Sequence, residues 1–134
     1  MQMEHFDDLI NAAQAQPLPQ RLLMVFVRAE LPADATPAER AAFEAGQGGA
    51  LTALSCVDKL AGELDSFATL KAEAVAVVPV WDLMFAAAAN EPAHAPLSAA
   101  AIDAALQRMI AAIDSGDVGR FAAFDPSGVV VQIG

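Results

Sequence analysis

The sequence predicts an α/β or α+β single domain: a mixed, mostly parallel sheet of about five strands, with helices on its faces and a C-terminal β-hairpin. Three observations predict it. Segments of helical period alternate with short apolar runs of strand length along the whole chain. One of those runs, "RLLMVFVRAE" at Arg21–Glu30, is apolar on both faces, as a strand is when helices cover both sides of its sheet. The last segment, "RFAAFDPSGVVVQI", places proline second and glycine fourth in a tight turn between two short strand-like runs.

Taken in order, Phe6, Leu9, Ile10 and Ala13 recur at helical spacing and predict an amphipathic helix over Met3–Gln16, with Glu4, Asp7 and Asp8 on its positive first turn. Pro17 and Pro19 stop it, and the strand Arg21–Glu30 follows. "TPAE" at Thr36–Glu39 opens a second helix: a threonine cap, proline at the first helical position and glutamate three residues after the cap. That helix runs to about Ala45, and Gly46 fits the left-handed position that closes it. The glycines of "EAGQGGALT" therefore follow a helix and lead into the strand "ALTALSCV". A phosphate-binding loop has the reverse arrangement and a Lys-Ser or Lys-Thr pair that is missing here, so Gly46, Gly48 and Gly49 read as a helix stop and connector.

Asp58 is placed to cap a third helix through Leu60, Leu64, Phe67 and Leu70 that fades near Ala74. A third strand is firmest over Trp81–Ala88, with Pro79 at its entrance, and "NEPAHAP" is a loop. Ser98 caps a long helix with a stripe of Ile102, Leu106, Met109, Ile110 and Ile113, which Gly116 ends. Because helices and strands alternate, the expected sheet is largely parallel and closed by the antiparallel hairpin.

The 134 residues suit one domain, and 17 acids against 7 bases give a net charge of −10. The bases are scattered, which argues against direct nucleic-acid binding and against an anionic membrane surface. The start, "MQMEHFDDLI", lacks the basic end and apolar run of a signal peptide. The most apolar window, Ala74–Ala89, is short and interrupted by Pro79 and Asp82. The lone Cys56 forms no internal disulfide, and the expected compartment is the cytoplasm.

In an open parallel sheet, ligands lie beyond the carboxyl ends of the strands. That rim would gather Glu30 and Asp34, then Cys56, Asp58 and Lys59, then Asn90, Glu91 and His94. Cys56, Asp58, Lys59, Asn90 and His94 are the candidate ligand-binding residues, since thiol, carboxylate, amine, amide and imidazole together could bind or move protons. Three also have a structural reading: Cys56 as a small core residue, Asp58 as a helix cap and Lys59 as a solvated group, while His94 sits in an Ala-Pro loop. Asp82 interrupts an apolar strand and is expected at its entrance, facing water or a backbone N–H. Neither His5 nor His94 has a second ligand at metal spacing, so no metal and no cofactor is expected, and no catalytic residue is assigned.

The segments "PLPQRLLMVFVRAELP", "FEAGQGGALTALSCVDK", "WDLMFAAA" and "LQRMIAAIDSGDVGRFAAFDPSG" resemble a family of small proteobacterial proteins whose members often carry the name ribonucleotide reductase subunit alpha. The likeness covers most of the chain and is poorest over Lys71–Val80 and Asn90–Pro96. It implies a bacterial cytosolic domain. It does not imply the reaction in the name, because ribonucleotide reduction needs a radical-bearing cysteine plus a separate electron-donating pair, and this chain has one cysteine. The reading that follows is a non-enzymatic protein-interaction domain that self-associates as a homodimer. The alternative is a small-molecule-binding protein or minor enzyme with its site at the carboxyl edge of the sheet. A third reading is a decoy or inhibitor that uses its negative charge to engage a basic partner protein.

Overall fold

The computed structural model describes residues 3–31, 33–44 and 50–132. Along the chain lie α1 (Phe6–Gln14), β1 (Gln20–Glu30), α2 (Pro37–Glu44), β2 (Ala50–Leu60), a 3₁₀ turn (Ala61–Glu63), α3 (Phe67–Ala74), β3 (Leu83–Asn90), α4 (Ala99–Asp114), β4 (Ala122–Phe124) and β5 (Val130–Val131). The strands form one sheet in the order β2-β1-β3-β4-β5. Every pair in it is antiparallel, which overturns the mostly parallel sheet that alternation predicts and makes the fold α+β.

The reason lies in what the helices bury. A parallel crossover needs a helix that packs its apolar face back onto the sheet. None of the residues of α2 is buried, so the chain between β1 and β2 turns back and β2 pairs directly with β1. By contrast, β2 and β3 are both antiparallel to β1 and hence run the same way, with β1 inserted between them. Alternation does not show that another strand occupies the gap between them.

β1 sits one place in from the sheet's end and is apolar on both faces, as expected. Leu22, Met24 and Phe26 point into a core with Phe6, Ile10, Phe67, Leu70, Trp81, Met84 and Phe124. Leu23, Val25 and Val27 point into a second core with Phe85, Leu106, Met109, Ile113 and Ala123. α1 and α3 thus cover one face and α4 the other. The predicted stripe of α4 holds: Leu106, Met109 and Ile113 are buried, and Ile102 and Ile110 pack partly against the same core.

Local chemistry fixes the ends. The Thr36 hydroxyl accepts from Glu39 N at 3.1 Å while the Glu39 carboxylate accepts from Thr36 N at 3.1 Å, the reciprocal cap read from "TPAE". Ser98 Oγ accepts from Ala101 N, and Gly116, at φ +81°, closes α4 with bonds from Gly116 N to Ile113 O and from Asp117 N to Ala112 O. The third helix starts later than predicted. Asp58 caps nothing, because β2 continues to Leu60, and α3 begins at Phe67 under a cap from Ser66 Oγ and a 2.7 Å bond from Phe67 N to the Asp7 carboxylate of α1. Asp82 stands just before β3, exposed, accepting from Ala29 N at 2.8 Å, as expected of a carboxylate at that entrance. Gly46, Gly48 and Gly49 lie outside the described residues.

The "DPSG" hairpin is present, and its turn is wedged into the core. Asp125 Oδ1 accepts from Ser127 N and Val129 N, and Gly128 adopts φ +85°. Phe6 N donates to Gly128 O at 2.8 Å, and Phe6 stacks on Phe124 at 5.1 Å. His5 caps α1 by accepting from Asp7 N at Nδ1, which leaves Nε2–H to donate to Ser127 O at 3.1 Å.

The two left-handed glycines differ in surroundings, and that difference is measurable. A Cβ at Gly116 meets nothing within 4 Å, whereas at Gly128 it would stand 2.5 Å from His5 Nε2 and 2.8 Å from Phe67 Cδ2. Gly116→Ala is expected to cost about 1–2 kcal/mol for its backbone alone. Gly128→Ala should cost roughly 1–3 kcal/mol more from overpacking. Urea unfolding of both variants checks this, and equal costs would show that the turn does not press on His5 and Phe67.

Candidate functional site

The end of the sheet where β1 begins is also where β2 and β3 finish, because two reversals of direction restore the original one. Asp58, Lys59 and Asn90 therefore share a rim as the sequence suggested, although the sheet is antiparallel. Glu30, at the far end of β1, belongs to the opposite rim, and the chain leads from it away through Asp34.

Within the shared rim Arg21 is the centre. Its Nε and Nη2 donate to the two carboxylate oxygens of Glu91 at 2.8 Å each, and its Nη1 donates to Asp58 at 2.7 Å. Such a paired fork is the strongest geometry available to a guanidinium and a carboxylate. Glu91, only 5% exposed, also accepts from Leu97 N at 3.2 Å, and its own N–H donates to Pro19 O at 2.8 Å. Beside it, Gln20 Nε2 donates to Asn90 Oδ1 at 2.6 Å and to Leu18 O at 3.1 Å. The bonds to Arg21 hold the Glu91 carboxyl below its usual range, against the opposing effect of burial, and the same pair raises the Arg21 guanidinium. Among the described residues no buried side-chain nitrogen or oxygen lacks a partner, so this cluster is a closed lock between three strands and the loop after β3.

Strand alternation separates the remaining candidates. Cys56 and Asp58 project toward the α4 face, whereas Ser55, Val57 and Lys59 project toward α3. Cys56 packs against the α4 core, where burial first, and then Asp103 and Asp58, push its thiol up. It is a protonated thiol at neutral pH, on the opposite face of β2 from the lysine side chain that could have activated it. His94 is exposed in the loop after β3, and no hydrogen bond or ion pair among the described residues joins it to the other four. Among the described residues no group of three or more His, Cys, Asp or Glu is arranged to hold a metal.

Lys59 instead marks a second feature. Its Nζ lies 3.2 Å from Glu73 of α3, and together they rim a hollow of about 280 Å³ between β2 and α3 with an apolar floor of Phe26, Val57, Leu70 and Val78.

Sequence reasoning named Asp58, Asn90 and Glu91 for this rim but missed Arg21 and Gln20. A signal was there: an arginine set directly before a run of six buried apolar residues calls for an acidic partner nearby. No protein-family model matches this chain, and no curated protein or solved structure matches it either.

The lock yields a prediction with a pH signature. Glu91 has a folded-state pKa below its ordinary 4.5, so the unfolded chain binds its proton more readily. The stability it contributes is complete above that value and is lost as pH falls through 4.5 toward the depressed value. Arg21→Met, which strands a buried carboxylate, is expected to destabilise more than the double variant Arg21→Met/Glu91→Gln. Its deficit against wild type should shrink in acid as Glu91 takes up a proton. Urea midpoints of the three proteins at neutral pH and below 4.5 test both statements; a double variant worse than the single would show that the rim tolerates an unpaired Glu91.

Proposed function

We propose that this chain is a non-enzymatic, cytoplasmic protein-interaction domain that self-associates as a homodimer, using the free edge of β2 and the apolar turn beside it. The observation that supports this reading most is exposed apolar surface beside the outer edge of β2. β2 is 11 residues long and, among the described residues, has a strand neighbour on one side only. Alongside runs the turn after α3, where Val75, Val77 and Val80 are 54%, 73% and 63% exposed, and Leu54 on β2 itself is 40% exposed. Val77 lines the same hollow as Val57, so edge and turn are continuous. Apolar surface gathered next to unpaired strand backbone suits strand addition, in which main-chain bonds supply affinity.

Two features keep such pairing from running on into fibres. The register between β1 and β2 slips at Phe26/Val27, leaving Leu54 as an extra residue that interrupts the edge, and the Lys59–Glu73 pair stands near its end. No helix among the described residues is long and apolar enough to cross a membrane. The charge of −10 opposes self-association at long range, but salt screens beyond about 8 Å at physiological ionic strength.

Sedimentation velocity at micromolar concentration should show a dimer that tightens as salt is raised. A complex held by a basic partner would weaken instead, so the sign of the salt dependence separates the two. Val77→Asp combined with Leu54→Lys should weaken the dimer by at least about tenfold without lowering the melting temperature. A wild-type protein that stays monomeric at every salt concentration sinks the proposal.

A further inference from the structure

The geometry points to the hollow between β2 and α3 as a binding site for a free α-amino acid with an apolar side chain, its two charged groups held by Lys59 and Glu73. This site is separate in kind from the self-association proposed above, although Val77 borders both.

The volume, about 280 Å³, falls just under the range of about 300–1,000 Å³ usual for drug-sized ligands, which suits a smaller molecule. Its floor is apolar, from Phe26 and Val57 of the sheet to Leu70 and Val78 on the helix side. Its mouth carries one cation and one anion, 3.2 Å apart and 35% and 54% exposed. That pairing is the complement of a zwitterion. With the side chain in the hollow, the ligand's α-carboxylate accepts from the Lys59 ammonium while its α-ammonium donates to the Glu73 carboxylate. Lysine has three N–H donors and glutamate two oxygens, so each can engage the ligand without giving up the other, and an exposed ion pair costs little to open in any case. The Ser55 hydroxyl, on the same strand face as Lys59, adds a polar group at the wall.

Charge narrows the class further. A monocarboxylate approaching this protein meets a field of net charge −10, whereas a zwitterion carries no net charge and meets no such barrier. A simple amine would be attracted but would leave Lys59 with no new partner. Only a ligand with both groups adjacent to one apolar branch satisfies floor and mouth together.

The test is a titration of the intact, methyl-labelled protein followed by NMR. L-leucine should shift the methyls of Val57, Leu70, Val77 and Val78 saturably. Isocaproate, which lacks the ammonium, and isopentylamine, which lacks the carboxylate, should each bind at least about tenfold more weakly, and glycine should leave the methyls unmoved. Lys59→Met and Glu73→Gln should each weaken leucine by a similar factor. No saturable shift with leucine overturns the site. Isocaproate or isopentylamine binding as tightly as leucine overturns the zwitterion assignment, using wild-type protein alone. The dimer is judged separately by sedimentation, so failure here is distinguishable from failure there.

Discussion

Six consecutive side chains of β1, Leu22 to Val27, are divided between two cores, and this two-sided burial is the constraint on which the rest of the molecule depends. A strand dry on both faces must have a layer of helix above and below, so α4 has to reach one side and α1 with α3 the other. It must also have its backbone satisfied on both edges, which β2 and β3 do over nearly its whole length. The smaller features follow. The hairpin turn at Gly128 is pressed against His5 and Phe67 because it closes the end of the core that Phe6 and Phe124 fill.

Where β1 leaves the core the chemistry changes abruptly. Leu22 is completely buried and the next residue outward is Arg21, whose charge is tolerable there only because Asp58 arrives on β2 and Glu91 just past the end of β3. The same contact orders the chain after β3, since Glu91 also receives Leu97 N. The charged rim is thus the boundary condition of the apolar strand. Its buried polar atoms are all held by internal partners, whereas the Lys59–Glu73 pair on the other face of β2 is more exposed.

The helical cover is unequal across the sheet. α3 is only eight residues long, and its first residue is held by the Asp7 carboxylate of α1. β2 has intermediate burial along most of its length, a free edge among the described residues, and a hollow beside it. Both proposals about function rest on this one asymmetry: incomplete cover leaves unpaired backbone and unburied valines for a second copy, and a small apolar space for a ligand.

Sequence alone determined the local elements. The Thr36 cap, the Ser98 cap, the glycine stop at Gly116, the "DPSG" turn and the two-faced character of β1 were all legible because each depends on residues within a turn or two of one another. Asp82 was legible for the same reason. Strand direction was not, because the hydrophobic pattern of a buried strand is the same whichever way its neighbour runs, and only the failure of α2 to bury anything reveals that β2 turns back. Nor was Asp58, whose place before a helical pattern hid a strand that continues through it. The Arg21–Glu91 pair spans 70 positions and the Lys59–Glu73 hollow needs two elements to converge, so the tertiary structure decided them: the distance between charges is set by the path of the backbone, which the spacing of residues along the chain does not encode.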